Sequence, residues 1–411
     1  MEKLLLTHAS ELVTASGRRA LRGREMREIG VIPDGAVLIE DGLIAAVGPT
    51  ERIAPLAGQC ETLDCSGRTV LPGFVDSHTH FIFAGHRAEE FSWRLRGESY
   101  MSIMERGGGI GATVGPTRAA SEEELGREGA KRLASMLRFG VTTAEGKSGY
   151  GLDLDTELRQ LVVMERLSGS QPVEVVSTFL GAHAVPEEYK GRTDEYVEFM
   201  IRQVLPRVKE QGIARFCDVF CEKNVFSVEQ SRRLLTAARE MGFALKLHAD
   251  EMVTLGGASL AAELGAVSAD HLLHADERGI RDLAQSGTVA TLLPATAFCL
   301  REPYADARRM IDSGCAVAVA SDYNPGSCYT NSVPLLFALC CLYMHMSVEE
   351  TITALTLNGA AALGLADRIG SIEPGKQADI AVLDCPSRHY LPYHTGVNLV
   401  ERVIKKGKIV L

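Results

Sequence analysis

The segment Leu71-Pro-Gly-Phe-Val-Asp-Ser-His-Thr-His80 decides the fold, because an apolar run ends there in two histidines one residue apart. Side chains at positions i and i+2 of an extended strand point to the same face. His78 and His80 are therefore predicted to project together, about 6.5–7 Å apart along the strand. Since neutral imidazole is the commonest metal ligand in proteins, the pair indicates half of a metal site. A chance histidine pair at a strand end is the alternative, and the rest of the chain has to decide.

Seven further strand-like apolar runs follow this segment. They cover residues 141–145, 173–180, 215–220, 244–248, 268–273, 289–293 and 316–320. Helical patterns separate most of them, including one that opens with the capping box Ser121-Glu-Glu-Glu124. Alternating β and α units predict a parallel sheet, and eight of them indicate a closed (β/α)8 TIM-like barrel. An open doubly wound sheet is the alternative, but no Gly-x-Gly-x-x-Gly follows a first strand.

Both chain ends carry strand patterns of their own. Two apolar runs joined by Asp41-Gly42 are a hairpin signal near the start, and the stretch after residue 378 is strand-like again. We therefore expect one small β-sandwich domain assembled from both ends. Its predicted bounds are 1–68 and 369–411, and those of the barrel are 69–368.

Composition excludes several classes of partner. The net charge of −10 argues against nucleic acid. No window approaches the roughly 20 apolar residues of a membrane span, and the first residues do not form a signal peptide. The ten cysteines are scattered without repeated Cys-x-x-Cys pairs, which is typical of reduced thiols in the cytoplasm. The overall charge says little about a substrate, since a local cationic pocket can still bind an acidic small molecule.

Polar residues collect where the predicted barrel strands end, which is where barrel enzymes place their chemistry. Besides His78 and His80, they are Glu145, Lys147, His183, Asp218, Glu222, His248, Glu251, His271 and Asp322. Three imidazoles and a carboxylate can bind one divalent ion and leave a position for water. Such an ion lowers the pKa of the water toward about 7, and Glu251 is placed to carry protons. The cluster therefore favours hydrolysis.

The motifs resemble those of the amidohydrolase superfamily. They are Pro72-Gly-Phe-Val-Asp-Ser-His-Thr-His80, His248-Ala-Asp-Glu251, His271, Ser321-Asp322 and Ser371-Ile-Glu-Pro-Gly-Lys-Gln-Ala-Asp379. Further segments are similar to the branch of this superfamily that opens the imidazolone ring in histidine degradation. They are Phe83-Ala-Gly-His-Arg-Ala-Glu-Glu-Phe91, Gly97-Glu-Ser-Tyr-Met-Ser-Ile-Met104 with Gly107-Gly-Gly-Ile110, Glu145-Gly-Lys-Ser-Gly-Tyr-Gly151 and Asp322-Tyr-Asn-Pro-Gly-Ser327.

The resemblance implies a role for each matching residue. The implied ligands of one Zn2+ or Fe3+ per subunit are His78, His80, His248 and Asp322. The implied catalytic groups are Glu251, His271 and Asp322. The implied substrate contacts are Arg87, Tyr150, His183, Glu251, Asn324, Gly326 and Ser327. The implied reaction is hydrolysis of the ring carbon–nitrogen bond of 4-imidazolone-5-propanoate to N-formimidoyl-L-glutamate by metal-activated water, in a cytoplasmic homodimer.

Two of the implied substrate contacts have plainer interpretations. Arg87 can clamp a carboxylate with a bidentate guanidinium, but it can equally be a surface arginine paired with Glu89 or Glu90. Tyr150 lies between two glycines, where a flexible backbone can close a phenol over a planar ring, but it can also be an ordinary loop tyrosine. The residues alone leave both choices open.

Two other functions fit parts of the same pattern. A deaminase of this superfamily, acting on a nucleobase or related amidine, would use the same histidines, with Arg87 and the loop 147–151 as discriminators. A metal-free assembly protein on this scaffold is the second alternative, but all four ligands and Glu251 are present. A two-metal hydrolase needs a bridging ligand, often a lysine on the fourth strand, and residues 215–220 contain none.

Overall fold

The computed structural model describes residues 2–98, 102, 106 and 108–411 of the chain. The sequence motifs at 97–104 and 107–110 therefore lie partly outside the described residues. In the described part of the chain, no helix has the length and apolar character needed to cross a membrane.

Strands and helices alternate through most of the chain. The strands are β1 (Lys3–Val13), β2 (Val31–Glu40), β3 (Leu43–Pro49), β4 (Glu61–Asp64), β5 (Thr69–Pro72), β6 (Phe74–Asp76), β7 (Val141–Lys147), β8 (Glu174–Ala182), β9 (Phe216–Cys221), β10 (Ala244–Ala249), β11 (Ser268–His271), β12 (Val289–Leu292), β13 (Val317–Val319), β14 (Ile380–Leu383), β15 (Val400–Lys405) and β16 (Lys408–Ile409).

The described α-helices are α1 (Thr50–Ala57), α2 (Ala88–Leu95), α3 (Gly111–Ala119), α4 (Glu122–Arg138), α5 (Leu154–Ser170), α6 (Thr193–Phe199), α7 (Leu205–Gln211), α8 (Val228–Glu240), α9 (Gly257–Leu264), α10 (Glu277–Ser286), α11 (Pro294–Leu300), α12 (Ala307–Asp312), α13 (Val333–Leu342), α14 (Val348–Leu355), α15 (Leu357–Ala362) and α16 (Tyr390–Tyr393). Short 3₁₀ turns lie at Gly23–Arg27 and Glu187–Tyr189, and a π-helical turn at Met200–Val204 joins α6 to α7.

Strands β6 to β13 form one parallel sheet of eight strands, in the order in which they occur along the chain. Its two edges meet: Asp322 N donates to the His78 carbonyl at 3.0 Å, and His80 N donates to the Tyr323 carbonyl at 2.9 Å. The sheet therefore closes into a barrel, and the (β/α)8 prediction is confirmed.

Local sequence explains where the outer helices begin. The Ser121 hydroxyl accepts the N–H of Glu124, so the predicted cap opens α4. Asp153 caps α5 and Ser227 caps α8 in the same way. In α4 the buried side chains Leu125, Leu133, Met136 and Leu137 recur at helical spacing, so one face of this helix packs against the barrel.

The remaining strands form a second sheet from both ends of the chain. Its order is β16-β15-β14-β5-β1-β2-β3, and β4 pairs with β1. The strand pairs join through Asp41-Gly42 and Lys406-Gly407, where φ is +48°, +82°, +50° and +77°. Apolar residues from β1, β2, β5, β14 and β15 share one core, so the small β unit predicted from both ends is confirmed.

The stretch of residues 69–76 contributes one strand to each sheet. Strand β5 pairs with β14 of the small sheet, whereas β6 pairs with β7 of the barrel. Gly73 lies between them, and its N–H donates to the Asp379 carbonyl at 2.9 Å. The single strand expected before His78 is therefore two short strands in different sheets. The domain boundaries after residues 68 and 368 stay a prediction.

Candidate active site

The four predicted metal ligands meet at the C-terminal end of the barrel. His78 and His80 follow β6, His248 lies in β10, and Asp322 follows β13; each is at most 2% exposed. His78 and His80 lie beyond the end of β6 at Asp76, so they are not in the regular strand that the sequence predicted. They converge because Thr79 bridges to Tyr323 across the barrel seam.

The ligand atoms lie close together in space. His80 Nε2 is 3.3 Å from His78 Nε2 and 3.5 Å from His248 Nε2. Asp322 Oδ1 is 3.5 Å from the Nε2 atoms of His78 and His80. Ligands bound tetrahedrally at about 2.0–2.1 Å from a zinc ion are separated by about 3.3–3.4 Å. The donor set therefore fits a single ion.

Carboxylates lie beside the Nδ1 atoms of two of these imidazoles. Asp270 Oδ2 lies 2.6 Å from His78 Nδ1, and Asp218 Oδ2 lies 3.0 Å from His248 Nδ1. A carboxylate at Nδ1 leaves the Nε2 lone pair available to a metal. The Thr296 hydroxyl donates to Asp322 Oδ2 at 2.6 Å, so the other carboxylate oxygen faces the histidines.

The protonation states suit metal binding. Burial, followed by the charges of Lys147 and the neighbouring histidines, lowers the pKa of His78 well below its ordinary value. Burial also lowers the pKa of His80 in the same way. Both imidazoles are therefore neutral, which is the form that coordinates metals.

Glu251 and His271 face the same space as the metal ligands. His271 Nε2 lies 3.6 Å from Glu251 Oε2, and the His271 ring is 5.2 Å from that of His248. Burial, with smaller contributions from the charges of Asp322 and Glu222, raises the pKa of Glu251 to about 8. A carboxyl group with a pKa near neutrality is suited to proton transfer.

The backbone is strained at two of these positions. His271 has a φ of +77° and Asp322 has a φ of +51°. Left-handed conformations are unusual for residues with a side chain and cluster at functional sites. At these strand ends they direct polar side chains toward a common centre.

More histidines reach the centre than the predicted ligand set requires. His183 stacks on His80, with ring centroids 4.9 Å apart. Ligand nitrogens of His78, His248 and His271 lie within 4.8 Å of one another, and so do those of His80, His183 and His248. The assignment of His78, His80, His248 and Asp322 as the ligands stays a prediction.

Tyr150 and His183 form one wall of the site. Their rings are 5.4 Å apart, and the Tyr150 ring is 6.1 Å from that of His80. His183 Nδ1 lies 3.0 Å from the Gly149 carbonyl oxygen. The buried Glu157 carboxylate accepts the N–H groups of three loop residues, Gly149, Gly151 and Leu152, and thereby holds this loop in place.

Arg87 has a structural partner in this state of the molecule. Its Nη2 lies 2.7 Å from Glu90 Oε1, and its Nε donates to Glu90 Oε2 at 3.0 Å. The guanidinium also lies against Gly326, where an added Cβ would meet it. The pairing with Glu90 and the proximity to the 324–327 loop are thus both present, and a role for Arg87 in substrate binding stays a prediction.

The side chain of Asn324 shapes the loop that follows the last barrel strand. Its Oδ1 accepts the N–H groups of Gly326 and Ser327, each at 2.8 Å. Its Nδ2 donates to the Asp322 carbonyl at 2.7 Å and to Ser327 Oγ at 2.9 Å. These bonds place Gly326 beside Arg87. The predicted substrate contacts of Asn324, Gly326 and Ser327 are untested.

The sequence reasoning did not single out Asp270, Lys246, Thr296 or Glu157. Asp270 and Lys246 both lie in barrel strands and are fully buried. Alternation was the available signal: Lys246 precedes His248 by two residues, and Lys147 follows Glu145 by two, so each pair points to the same side. Thr296 and Glu157 lie on helices, where nothing in their spacing indicates the site.

Comparison with known proteins agrees with this geometry. The profile of the amidohydrolase family matches residues 69–410, and a bacterial imidazolonepropionase-like composite domain matches residues 35–55. A solved adenosine deaminase from Xanthomonas campestris with bound zinc covers 99% of this chain and 92% of its own, at a TM-score of 0.72 and 21% identity, which shows a shared fold. The chain belongs to the amidohydrolase family.

Relatives with higher sequence identity belong to one branch of this family. The imidazolonepropionase of Clostridium tetani is 58% identical over 99% of this chain and 98% of its own length. That of Parabacteroides distasonis is 59% identical over 100% and 99% of the two chains. Within the amidohydrolases, the chain therefore groups with the imidazolonepropionases.

Proposed function

We propose that this chain hydrolyses the ring carbon–nitrogen bond of 4-imidazolone-5-propanoate to give N-formimidoyl-L-glutamate. The observation that carries the proposal is the convergence of three histidines and Asp322 beside Glu251, in a chain 58–59% identical to imidazolonepropionases. The reaction adds the oxygen of water to the ring carbonyl carbon, breaks the carbon–nitrogen bond and protonates the nitrogen. The product therefore carries a new carboxylate.

We propose that His78, His80, His248 and Asp322 hold one Zn2+ or Fe3+ per subunit. When bound, such an ion supplies Lewis acidity and makes water a better nucleophile at neutral pH. The separations of 3.3–3.5 Å among the ligand atoms and the neutral state of the imidazoles support this assignment.

Glu251 and His271 would move protons and stabilise charge. In its ionised form, the Glu251 carboxylate would take a proton from the attacking water, and a pKa raised to about 8 suits the return of that proton to the leaving ring nitrogen. His271 Nε2, which lies 3.6 Å from Glu251, is placed to donate a hydrogen bond to the carbonyl oxygen as negative charge develops there. The left-handed backbone at His271, with φ of +77°, supports a functional constraint at this residue.

The propanoate arm and the planar ring need separate contacts. Tyr150 and His183 offer aromatic faces next to His80. Arg87 lies against Gly326 in the 324–327 loop that we assign to the carboxylate. Arg94 is a second cation at this loop, and its Nη2 donates to the Gly326 carbonyl at 2.9 Å. Asn324 holds that loop rather than presenting free polar atoms.

We also propose a homodimer that acts in the cytoplasm. The described cysteines are all free thiols, which suits a reducing compartment. Helices α13 and α16 pack together, and Leu342, Tyr343 and Tyr393 nearby are 58–82% exposed, which is the type of apolar surface that subunits cover. Light scattering of the purified protein measures the mass and checks the dimer.

The proposed activity is tested by following the loss of ultraviolet absorbance of imidazolone propionate. We expect ring opening by the purified protein, loss of activity after chelation, and recovery when Zn2+ or Fe3+ is returned. Guanine and cytosine serve as alternative substrates in parallel. Deamination of either base without ring opening would replace the proposal with the deaminase alternative.

A further inference from the structure

Five charged side chains lie directly beneath the proposed metal centre inside the barrel. They are Glu145, Lys147, Asp218, Lys246 and Asp270, and each has 0% side-chain exposure. Removing this many charges from water is unfavourable unless they are paired. Because such a cluster contributes little net stability, its geometry indicates another role.

Lys147 lies at the middle of this cluster. Its Nζ is 2.7 Å from Asp218 Oδ2, 3.0 Å from Glu145 Oε2 and 3.6 Å from Asp270 Oδ2. Although burial lowers the pKa of the Lys147 ammonium, the three carboxylates raise it above its ordinary value. The ammonium group therefore lies within 3.6 Å of all three carboxylates.

Two of those carboxylates also contact imidazoles of the proposed metal ligands. The same Asp218 Oδ2 lies 3.0 Å from His248 Nδ1, and the same Asp270 Oδ2 lies 2.6 Å from His78 Nδ1. A single ammonium group thus touches both carboxylates that orient two different imidazoles. Asp218 is further fixed because its Oδ1 accepts the N–H groups of Val219 and His248.

We propose that Lys147 is a positioning residue for the metal centre, which acts by holding Asp218 and Asp270 against the Nδ1 atoms of His248 and His78. Without the ammonium, the two buried carboxylates would lose their shared contact and turn away from the Nδ1 atoms. This change leaves the imidazoles free to rotate or to move their proton to Nε2. This inference rests on the proposed metal centre.

Lys246 provides a matched control in the same cluster. It is equally buried, and its Nζ lies 3.1 Å from Glu145 Oε2. Its other contacts are hydrogen bonds to the carbonyls of Ser77 at 3.0 Å and Ala362 at 3.3 Å. In its described contacts Lys246 forms no ion pair with Asp218 or Asp270, although its charge acts on Asp270 through space. Its removal therefore leaves the contacts of Lys147 with both carboxylates in place.

The test compares Lys147→Met with Lys246→Met. Metal-free proteins are titrated with Zn2+ alone against a chromophoric chelator, and thermal unfolding is measured without metal. Both variants are expected to unfold at lower temperature. Lys147→Met should bind Zn2+ about 10–100-fold more weakly, the usual effect of losing such an outer contact, and Lys246→Met should stay within about threefold of the wild type. Equal losses in both variants, or none in Lys147→Met, would overturn the proposal.

Asp270→Asn keeps the test decisive if Lys147→Met does not fold. This variant retains the shape of the side chain and removes its charge between Lys147 and His78. We expect a similar loss of Zn2+ affinity, and unchanged affinity would contradict the proposed path to His78. Because Zn2+ binding is measured without substrate, a wild-type protein that binds the ion but opens no imidazolone ring would refute the proposed activity alone.

Discussion

A lysine lies between carboxylates at each end of the barrel, and the two arrangements have different roles. At the C-terminal end, Lys147 lies among carboxylates that also contact the imidazoles we propose as metal ligands. At the N-terminal end, Lys405 of β15 lies 2.7 Å from Asp379 and 3.3 Å from Glu174. Among the described residues, these carboxylates also pair with Arg368, Gln377 and the N–H of Lys406. The same ion pairing therefore orients a site at one end and joins the small sheet to the barrel at the other.

This difference predicts that substitutions at the C-terminal end change catalysis and those at the N-terminal end change stability. Barrel enzymes as a class divide their two faces in this way. The predictions below test the division, beginning with the largest expected effect.

Glu251→Gln should lower turnover most, because it removes the proton carrier and keeps the size of the side chain. We expect kcat to fall by about 10²–10⁴-fold, the usual contribution of general acid–base catalysis. The measurement is the ring-opening rate, with bound metal determined by elemental analysis as the control. Normal turnover with normal metal content would remove Glu251 from the mechanism.

Arg87→Ala should affect recognition of the charged arm. A hydrogen-bonded charge pair contributes about 1.5–3 kcal/mol, so KM for imidazolone propionate should rise about 10–100-fold. An uncharged imidazolone lacking the propanoate arm is the matched substrate, and its KM should change much less. If both substrates lose affinity equally, Arg87 acts through its pair with Glu90 and not as a carboxylate clamp.

Glu157→Gln tests whether the loop that carries Tyr150 must be held rigidly. The amide retains one acceptor oxygen but offers donors to N–H groups that need acceptors, at a loss of about 1–3 kcal/mol of stability. We expect a lower melting temperature and a severalfold rise in KM, with kcat less affected. A fall in the melting temperature with unchanged KM would show that Tyr150 does not contact the substrate.

Glu174→Gln should leave KM and kcat within twofold of the wild type and lower the free energy of unfolding at pH 7 by about 1–3 kcal/mol. Glu174 begins β8 and pairs with Arg368 and Lys405 at the opposite end from the chemistry. Activity assays and urea unfolding check the two parts. A large loss of turnover would break the comparison between the two ends.

The contribution of Glu174 to the stability of the fold should change with pH in a definite direction. Burial alone would raise the pKa of Glu174, but the hydrogen bonds from Arg368 and the charge of Lys405 lower it from 4.5 to about 2. A group whose pKa is lower in the folded state stabilises the protein above its unfolded pKa. The difference in the free energy of unfolding between wild type and Glu174→Gln should therefore be fully present at pH 7 and decrease as the pH falls from about 4.5 toward 2.

The sequence was sufficient for the parts of the molecule that repeat. Apolar runs alternating with helical patterns identified all eight barrel strands. His78, His80, His248 and Asp322 follow or end such strands and meet because a parallel barrel brings the same end of every strand together, while their role as metal ligands stays a prediction. The hairpin at Asp41-Gly42 succeeded because its turn needs left-handed backbone, which Asp and Gly tolerate.

Other features depend on the closed barrel and were not predictable. The contact of Lys147 with both Asp218 and Asp270 joins three different strands, so it exists only after the sheet has closed. The Thr296 hydroxyl donates a hydrogen bond to Asp322 from a helix between two barrel strands, and no local sequence pattern predicts that hydrogen bond. The break at Gly73 was missed because Leu71 to Asp76 is one apolar run, although its two halves pair with different sheets.

The pairing of β5 with β14 has a consequence for how the protein is made. Thr69 Oγ1 donates to the Cys385 carbonyl across 316 positions of chain. During synthesis, β1 to β5 emerge first, and the strand that completes their sheet emerges after the whole barrel. Nascent chains therefore carry an open, apolar sheet edge at β5 until translation is nearly complete, and such unpaired edges favour aggregation. Slow translation of the last forty residues would lengthen that exposure, so chaperone demand should depend on the codons at the 3′ end of the message.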